Sequence, residues 1–211
     1  MSIGDNEKKR IAVLVSGGGT NLQALMDAEK AGKITSGKIA LIISSNPEAY
    51  ALERAEKAGI KHMVVRRTAD KHLEFEDSLN SIIEKERIDL IVLAGFMSIL
   101  SPEFTGRYHK RIINVHPSLI PSFCGKGFYG IHVHRAALEY GVKITGATVH
   151  FVNEIPDGGE IIMQKAVCVK EGDTAEVLQR RVMEEAEWII LPIAVEKVCR
   201  EMKGKIYDEQ D

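Results

Sequence analysis

Four short apolar runs constrain this chain more than any other feature: "IAVLV" at 11–15, "IALII" at 39–43, "LIVL" at 90–93 and "IINV" at 112–115. None alternates apolar with polar residues, as a strand with one wet face would. Each is too short for a buried helix and is bounded by turn residues, so each reads as a strand covered on both sides. Strands of that kind are parallel and need helical crossovers between them. The intervening segments supply the crossovers. "NLQALMDAEKAGK" puts Leu22, Leu25 and Met26 on one face, with Thr20 or Asn21 as its expected cap. "AYALERAEKAG" stops at Gly59, and "LEFEDSLNSIIEKER" leads into the strand "DLIVLAG". A shorter strand is expected at "KHMVV".

After about residue 140 the rhythm changes. "KITGATVHFVNE" and "EIIMQKAVCVK" are two strands joined through "IPDGG", which predicts an antiparallel hairpin. A long helix closes the chain, and Pro192 is expected to kink or divide it. The fold class is therefore α/β: one Rossmann-like domain over 10–200, with a mostly parallel twisted sheet, helices on both faces and an antiparallel C-terminal hairpin. Residues 1–9 read as a polar extension and 201–211 as a polar tail.

Composition excludes several function classes. A net charge of −2 over 211 residues suggests neither nucleic acid nor a membrane surface as partner. The basic stretch "KHMVVRR" reads as a solvated face. No run is long and apolar enough for a signal peptide or a membrane span. Cys124, Cys168 and Cys199 lie far apart with no C-x-x-C pair, which suits a reducing cytoplasm.

"SGGGTN" at 16–21 stands between the first strand and the first helix, where an open parallel sheet binds phosphate. It lacks the G-K-[ST] of a Walker A loop, and Thr20, Asn21 and Leu22 break the dinucleotide pattern. The second strand ends in "SSNP", without the acidic residue that holds an adenosine ribose. A single phosphate on a small substrate fits better than a pyrophosphate, and the bland alternative is a tight turn with no ligand.

In "RIINVHPSLIPSFC", Asn114 and His116 are two apart and project to one face at a strand's carboxyl end, where Pro117 stops it. An amide can hold a tetrahedral oxyanion, and an imidazole can give or take a proton, which is what acyl transfer needs. The bland alternative is a core histidine satisfied by backbone. Asp157, in "IPDGG", is the candidate carboxylate for His116. Asp-Gly-Gly is also a good turn with no chemistry required, and the two readings are compatible. His132 and His134, near Cys124, diverge on a helix and make a poor metal pair.

"SGGGTNLQAL", "VLAGFMSILSP", "IINVHPSLIPSF", "HVHRAALEYG", "GATVHFVNEIPDGG" and "LQRRVMEEAEWIILP" together resemble the phosphoribosylglycinamide formyltransferase family over about residues 10 to 195. The N-x-H-P-S segment alone indicates only the wider folate-dependent group. The resemblance implies a formyltransferase fold and transfer of a formyl group from 10-formyltetrahydrofolate to the amine of glycinamide ribonucleotide (GAR) in purine biosynthesis. It implies Asn114, His116 and Asp157 as the catalytic trio, and Gly19, Thr20 and Asn21 as the phosphate cradle. Glu187 would take the ribose hydroxyls. Met97, Ser98, Ile99 and Leu100 would lie along the pterin, with Asn114 near the formyl group. Folate is then a co-substrate and no metal is involved. The partners are two small molecules, with no nucleic acid or membrane, and the chain acts as a monomer or homodimer.

Ser98 stands where many members have Arg, and Trp188 where a histidine is common. A folate-side Arg has no counterpart at Lys71 or His72, and the loop around Cys124 is about two residues longer than usual. Three rivals share parts of this pattern. A formyltetrahydrofolate hydrolase usually carries an extra N-terminal domain, whereas here a strand begins near residue 10. A methionyl-tRNA formyltransferase needs a basic C-terminal domain, for which "KGKIYDEQD" leaves no room. A binding module without catalysis would be marked by loss of one of the trio.

Overall fold

The computed structural model describes residues 8–67 and 72–208. Its contacts divide into two compact units, one made of Met1–Leu100 and Pro192–Asp211 and the other of Ser101–Leu191.

In the first unit the strands are β1 (Lys9–Val15), β2 (Gly37–Ser44), β3 (His62–Val64) and β4 (Leu90–Leu93). All pair in parallel, with β1 between β2 and β4, and β3 outside β2. The apolar runs are buried as their composition requires: Ile11 through Val15 are wholly inaccessible, as are Leu90 and Val92. The crossovers are α1 (Thr20–Lys30), α2 (Tyr50–Lys57) and α3 (His72–Lys85). The chain proceeds from β1 outward to β2 and β3, then returns to the other flank of β1 for β4. Strand order thus reverses beside β1, and the loops after β1 and β4 leave the sheet together at the place where open α/β sheets bind ligands. Leu93 hands over to Ala94, whose N–H bonds to Leu14, and the Ser16 N–H bonds to Gly95 at 3.1 Å.

In the second unit, β5 (Ile112–His116), β6 (Ile144–Phe151) and β7 (Ile161–Cys168) are antiparallel neighbours. Helices α4 (Pro102–Arg107), α5 (Ile131–Tyr140) and α6 (Ala175–Val182) accompany them. The hairpin expected near residue 155 is present. Helix α4 was not anticipated, because six residues are too few to show a period. Its start signal is nevertheless clear: Ser101 Oγ accepts from the Phe104 N–H, and Pro102 occupies the first turn.

Two local expectations need correcting. Neither Thr20 nor Asn21 caps α1: Gly19 does, in a left-handed conformation with φ 71° and no side-chain bond. The closing helix is interrupted before its proline, not at it. A π-helical turn at Met183–Glu187 follows α6, and α7 (Trp188–Asp208) then carries Pro192 within it. Proline offers no N–H to the carbonyl four residues back, and the wider turn lies one turn upstream of that defect. Helix α7 runs on into the stretch read as a tail. Among the described residues, no helix is long and apolar enough to cross a membrane.

Candidate active site

The strand register assembles the polar cluster of the second unit. Asn114 stands opposite His150, and His116 opposite Thr148, across the β5–β6 ladder. His116 is almost fully buried. Its Nε2 lies 2.9 Å from the Phe123 carbonyl, and its Nδ1 lies 3.5 Å from Asp157 Oδ2. Both ring nitrogens therefore face acceptors, an arrangement that fits an imidazolium. Burial opposes that charge and prevails, holding His116 below the usual histidine range against the pull of Asp157 and the Phe123 carbonyl.

Asp157 sits in the turn that joins β6 and β7, with the left-handed φ of 57° that Asp tolerates. The turn closes by a bond from the Gly158 N–H to the Ile155 carbonyl at 2.9 Å. Gly159 passes so near the Phe151 carbonyl that a β-carbon would lie 1.8 Å from its oxygen. The glycines thus let the turn fold tightly, and the turn brings the carboxylate to His116. Asp157 Oδ2 accepts the Gly125 N–H at 2.8 Å, and Oδ1 lies 3.6 Å from His150 Nε2. Burial raises its pKa, but His150, His116 and the Gly125 N–H together outweigh burial and keep it ionised below the usual carboxylate range.

His150 did not figure among the sequence candidates. Its Nδ1 donates to the Phe151 carbonyl at 2.7 Å, and its Nε2 lies 3.2 Å from Asn114 Nδ2 and 3.6 Å from Asp157 Oδ1. A bare Nε2 accepts from the amide, and a protonated one donates to the carboxylate. The former contact turns the Asn114 amide so that one N–H is held and the other can serve an oxyanion. The only sequence signal was alternation: Thr148 and His150 share a face of β6. The loop of 122–130 supplies backbone to His116 and Asp157, through Phe123 and Gly125. Phe123 is anchored by ring contacts with Phe128 and Tyr140 at 6.3 and 6.0 Å. Cys124 lies between those two backbone contacts, and its thiol donates to the Pro121 carbonyl at 3.2 Å. Glu187 is buried in the π-helical turn of the same unit.

The other candidates belong to the first unit. Gly19 caps α1, and Thr20 and Asn21 open its first turn. Met97 and Ile99 are more than half exposed, while Leu100 is buried. Ser16 ties this segment to the glycine loop: its Oγ accepts the Met97 N–H at 3.0 Å and meets Ser45 Oγ at 2.7 Å. Lys71 and the side chain of His72 lie outside the described residues. Among the described residues, no three His, Cys, Asp or Glu side chains are disposed to hold a metal ion.

Comparisons with known proteins bear on the chain as a whole. Residues 9–195 match the formyl transferase family profile. The phosphoribosylglycinamide formyltransferase of Haemophilus influenzae is 42% identical over 188 residues, covering 89% of this chain and 85% of that protein. The trifunctional purine biosynthetic protein adenosine-3 of Homo sapiens is 43% identical over 196 residues, covering 92% of this chain and 19% of that protein. The chain thus spans about a fifth of that relative's length and most of the bacterial one's. The crystal structure of glycinamide ribonucleotide transformylase 1 from Symbiobacterium toebii superimposes with a TM-score of 0.86 at 40% identity, covering 93% of this chain and 90% of that one. The chain belongs to the formyl transferase family and, within it, to the phosphoribosylglycinamide formyltransferases.

Proposed function

We infer that this protein transfers the formyl group of 10-formyltetrahydrofolate to the amine of 5-phosphoribosylglycinamide, giving formyl-GAR and tetrahydrofolate. The observation that carries this reading is the cluster of Asn114 and Asp157 around the buried ring of His116 in a member of this family. The amine attacks the formyl carbon, and the carbonyl π pair moves to oxygen. The second N–H of Asn114 donates to that oxyanion, and the His116 ring, whose nitrogens face Phe123 and Asp157, stabilises it through its charged form. Asp157 orients His116 and favours its charged form. A proton then passes from the attacking nitrogen to folate N10, and the C–N bond to folate breaks.

The glycine loop through Gly19, Thr20 and Asn21 takes the phosphate, and Glu187 takes the ribose hydroxyls. Met97, Ser98, Ile99 and Leu100 run along the pterin. The nucleophile is an amine and needs no metal to activate it. Holding two substrates in reacting geometry can itself supply about 7–11 kcal/mol of the barrier. We place the reaction in the cytoplasm, in a monomer or homodimer, with small molecules as its only partners.

The test is release of tetrahydrofolate from 10-formyltetrahydrofolate with and without GAR. Release only with GAR, with formyl-GAR recovered, is the expected result. Release without GAR would make the protein a hydrolase, and folate binding without release would make it a binding module.

A further inference from the structure

Helix α2 grips the glycine loop of the first unit from one side. The Ala51 N–H donates to the Gly17 carbonyl at 3.1 Å, and Arg54 Nε donates to the Gly18 carbonyl at 2.8 Å. In a trans peptide the carbonyl of one residue and the N–H of the next point in opposite directions. Fastening these two carbonyls to α2 therefore turns the N–H groups of Gly18 and Gly19 away from it, side by side. Successive N–H groups facing one way form a concave anion-binding nest.

The grip is close. A β-carbon on Gly19 would lie 2.7 Å from Ala51 Cβ and 3.4 Å from Arg54 Cδ, and φ there is +71°. Arg54 is itself held in place. Its Nη1 donates to Gln23 Oε1 at 2.9 Å, and its guanidinium carbon lies 5.0 Å from the centre of the Tyr50 ring. Gln23 belongs to α1, whose first turn is closed by its own N–H to the Gly19 carbonyl at 2.9 Å. A lysine could not reproduce this: its single ammonium has neither the planar fork nor the stacking face.

We propose that Arg54 is a positioning residue for substrate phosphate: by holding the Gly18 carbonyl it aims the Gly19 N–H at the anion, and so selects a phosphorylated amine. This rests on the phosphate reading of the loop and adds a residue outside it. Nothing in "LERA" marks the role, because an arginine on an amphipathic helix looks like any solvated charge.

The test compares Arg54→Gln and Arg54→Lys with wild type. It measures kcat, the KM of GAR, the KM of folate and inhibition by inorganic phosphate. Loss of a charge-assisted contact predicts a rise of about 10- to 100-fold in the GAR KM for Arg54→Gln. Phosphate inhibition should weaken in parallel, with the folate KM within about twofold of wild type and kcat largely kept. Arg54→Lys should fall between. Gln23→Met frees the guanidinium without removing it, and predicts a smaller rise confined to the GAR KM. Equal rises in both KM values, or a fall in kcat alone, would overturn the proposal. If phosphate competes with GAR on wild type and equally on Arg54→Gln, the phosphate reading stands and the role of Arg54 falls. If phosphate does not compete with GAR on wild type, the phosphate reading fails and takes the proposal with it.

Discussion

Two carboxylates, one in each unit, show how different jobs follow from similar burial physics. Glu196, on α7, accepts four bonds: the N–H groups of Thr35 and Ser36 at 2.8 and 2.9 Å, and their hydroxyls at 3.0 and 2.9 Å. Burial would raise its pKa, and those donors more than offset it. Asp157 is also held below the usual range, but only one of its contacts is a backbone N–H; the others are imidazoles. Every partner of Glu196 has a fixed number of protons near neutral pH. Asp157 instead faces the His116 imidazole, which can gain or lose one. The first carboxylate can only fasten the 35–36 turn to the helix, whereas the second can respond to a proton moving nearby.

The sharpest way to break this contrast is to neutralise Asp157. Asp157→Asn keeps the shape and the Gly125 contact but removes the charge facing His116. Turnover should fall by about 10²–10⁴, with the unfolding midpoint little changed. Asn114→Ala should cost about 10²–10³ in turnover. Near-wild-type rates for either variant would show that its cluster, like that of Glu196, only holds the fold.

His134 extends the comparison to a buried group with no partner. It is wholly inaccessible on α5, and neither ring nitrogen has a hydrogen-bond partner among the described residues. Burial, with a smaller push from His116, lowers its pKa to about 4. The unfolded chain, with a histidine pKa near 6.5, then takes up the proton first as pH falls. Its contribution is complete above about pH 6.5 and is lost on the way down to about 4, some 3 kcal/mol in all. The window between pH 6.5 and 5 lies above both carboxylates, so urea unfolding there reports the histidines. His134→Leu should flatten that slope, leaving the smaller share that belongs to His116. An unchanged slope would remove His134 from the account.

Glu196→Ala should show the reverse of Asp157→Asn. It strands two backbone N–H groups and should cost about 1.5–3 kcal/mol of stability, with kcat/KM for both substrates unchanged. A loss of activity in a variant that remains folded would mean that the fastening reaches the chemistry. The smallest effect is expected at Ser16, which joins the glycine loop to Met97. Ser16→Ala should raise the folate KM by about 2- to 10-fold through loss of neutral hydrogen bonds, and a GAR KM that rose instead would reassign that serine.

Much of this molecule is legible in its sequence. The buried strands declared themselves because a strand covered on both faces has no polar position to spare, and "IAVLV" and "LIVL" have none. Asn114 and His116 stood out for the same reason: polar side chains at the end of such a strand, followed by proline, need a partner or a ligand. Other features were hidden. His150 lies within an ordinary alternating strand, and only the pairing of β5 with β6 sets it opposite Asn114. Arg54 is 36 residues from the carbonyl it holds. The left-handed cap at Gly19 was misread because Thr20 and Asn21 are better caps by propensity, while the contact with Ala51 excludes any β-carbon at that corner.

The sequence by itself therefore determined the strands, most of the crossover helices, the tight turn at Asp157 and the candidate groups for acyl chemistry. These depend on burial and local backbone preference, which act over a few residues and repeat with the period of the element. Only the tertiary structure decided which imidazole faces which carboxylate, which carbonyl fixes His116, and which carbonyls of the glycine loop helix α2 holds. Those choices come from strand register and helix packing. A shift of one residue would send every side chain of a strand to the other face, and no local signal carries that information.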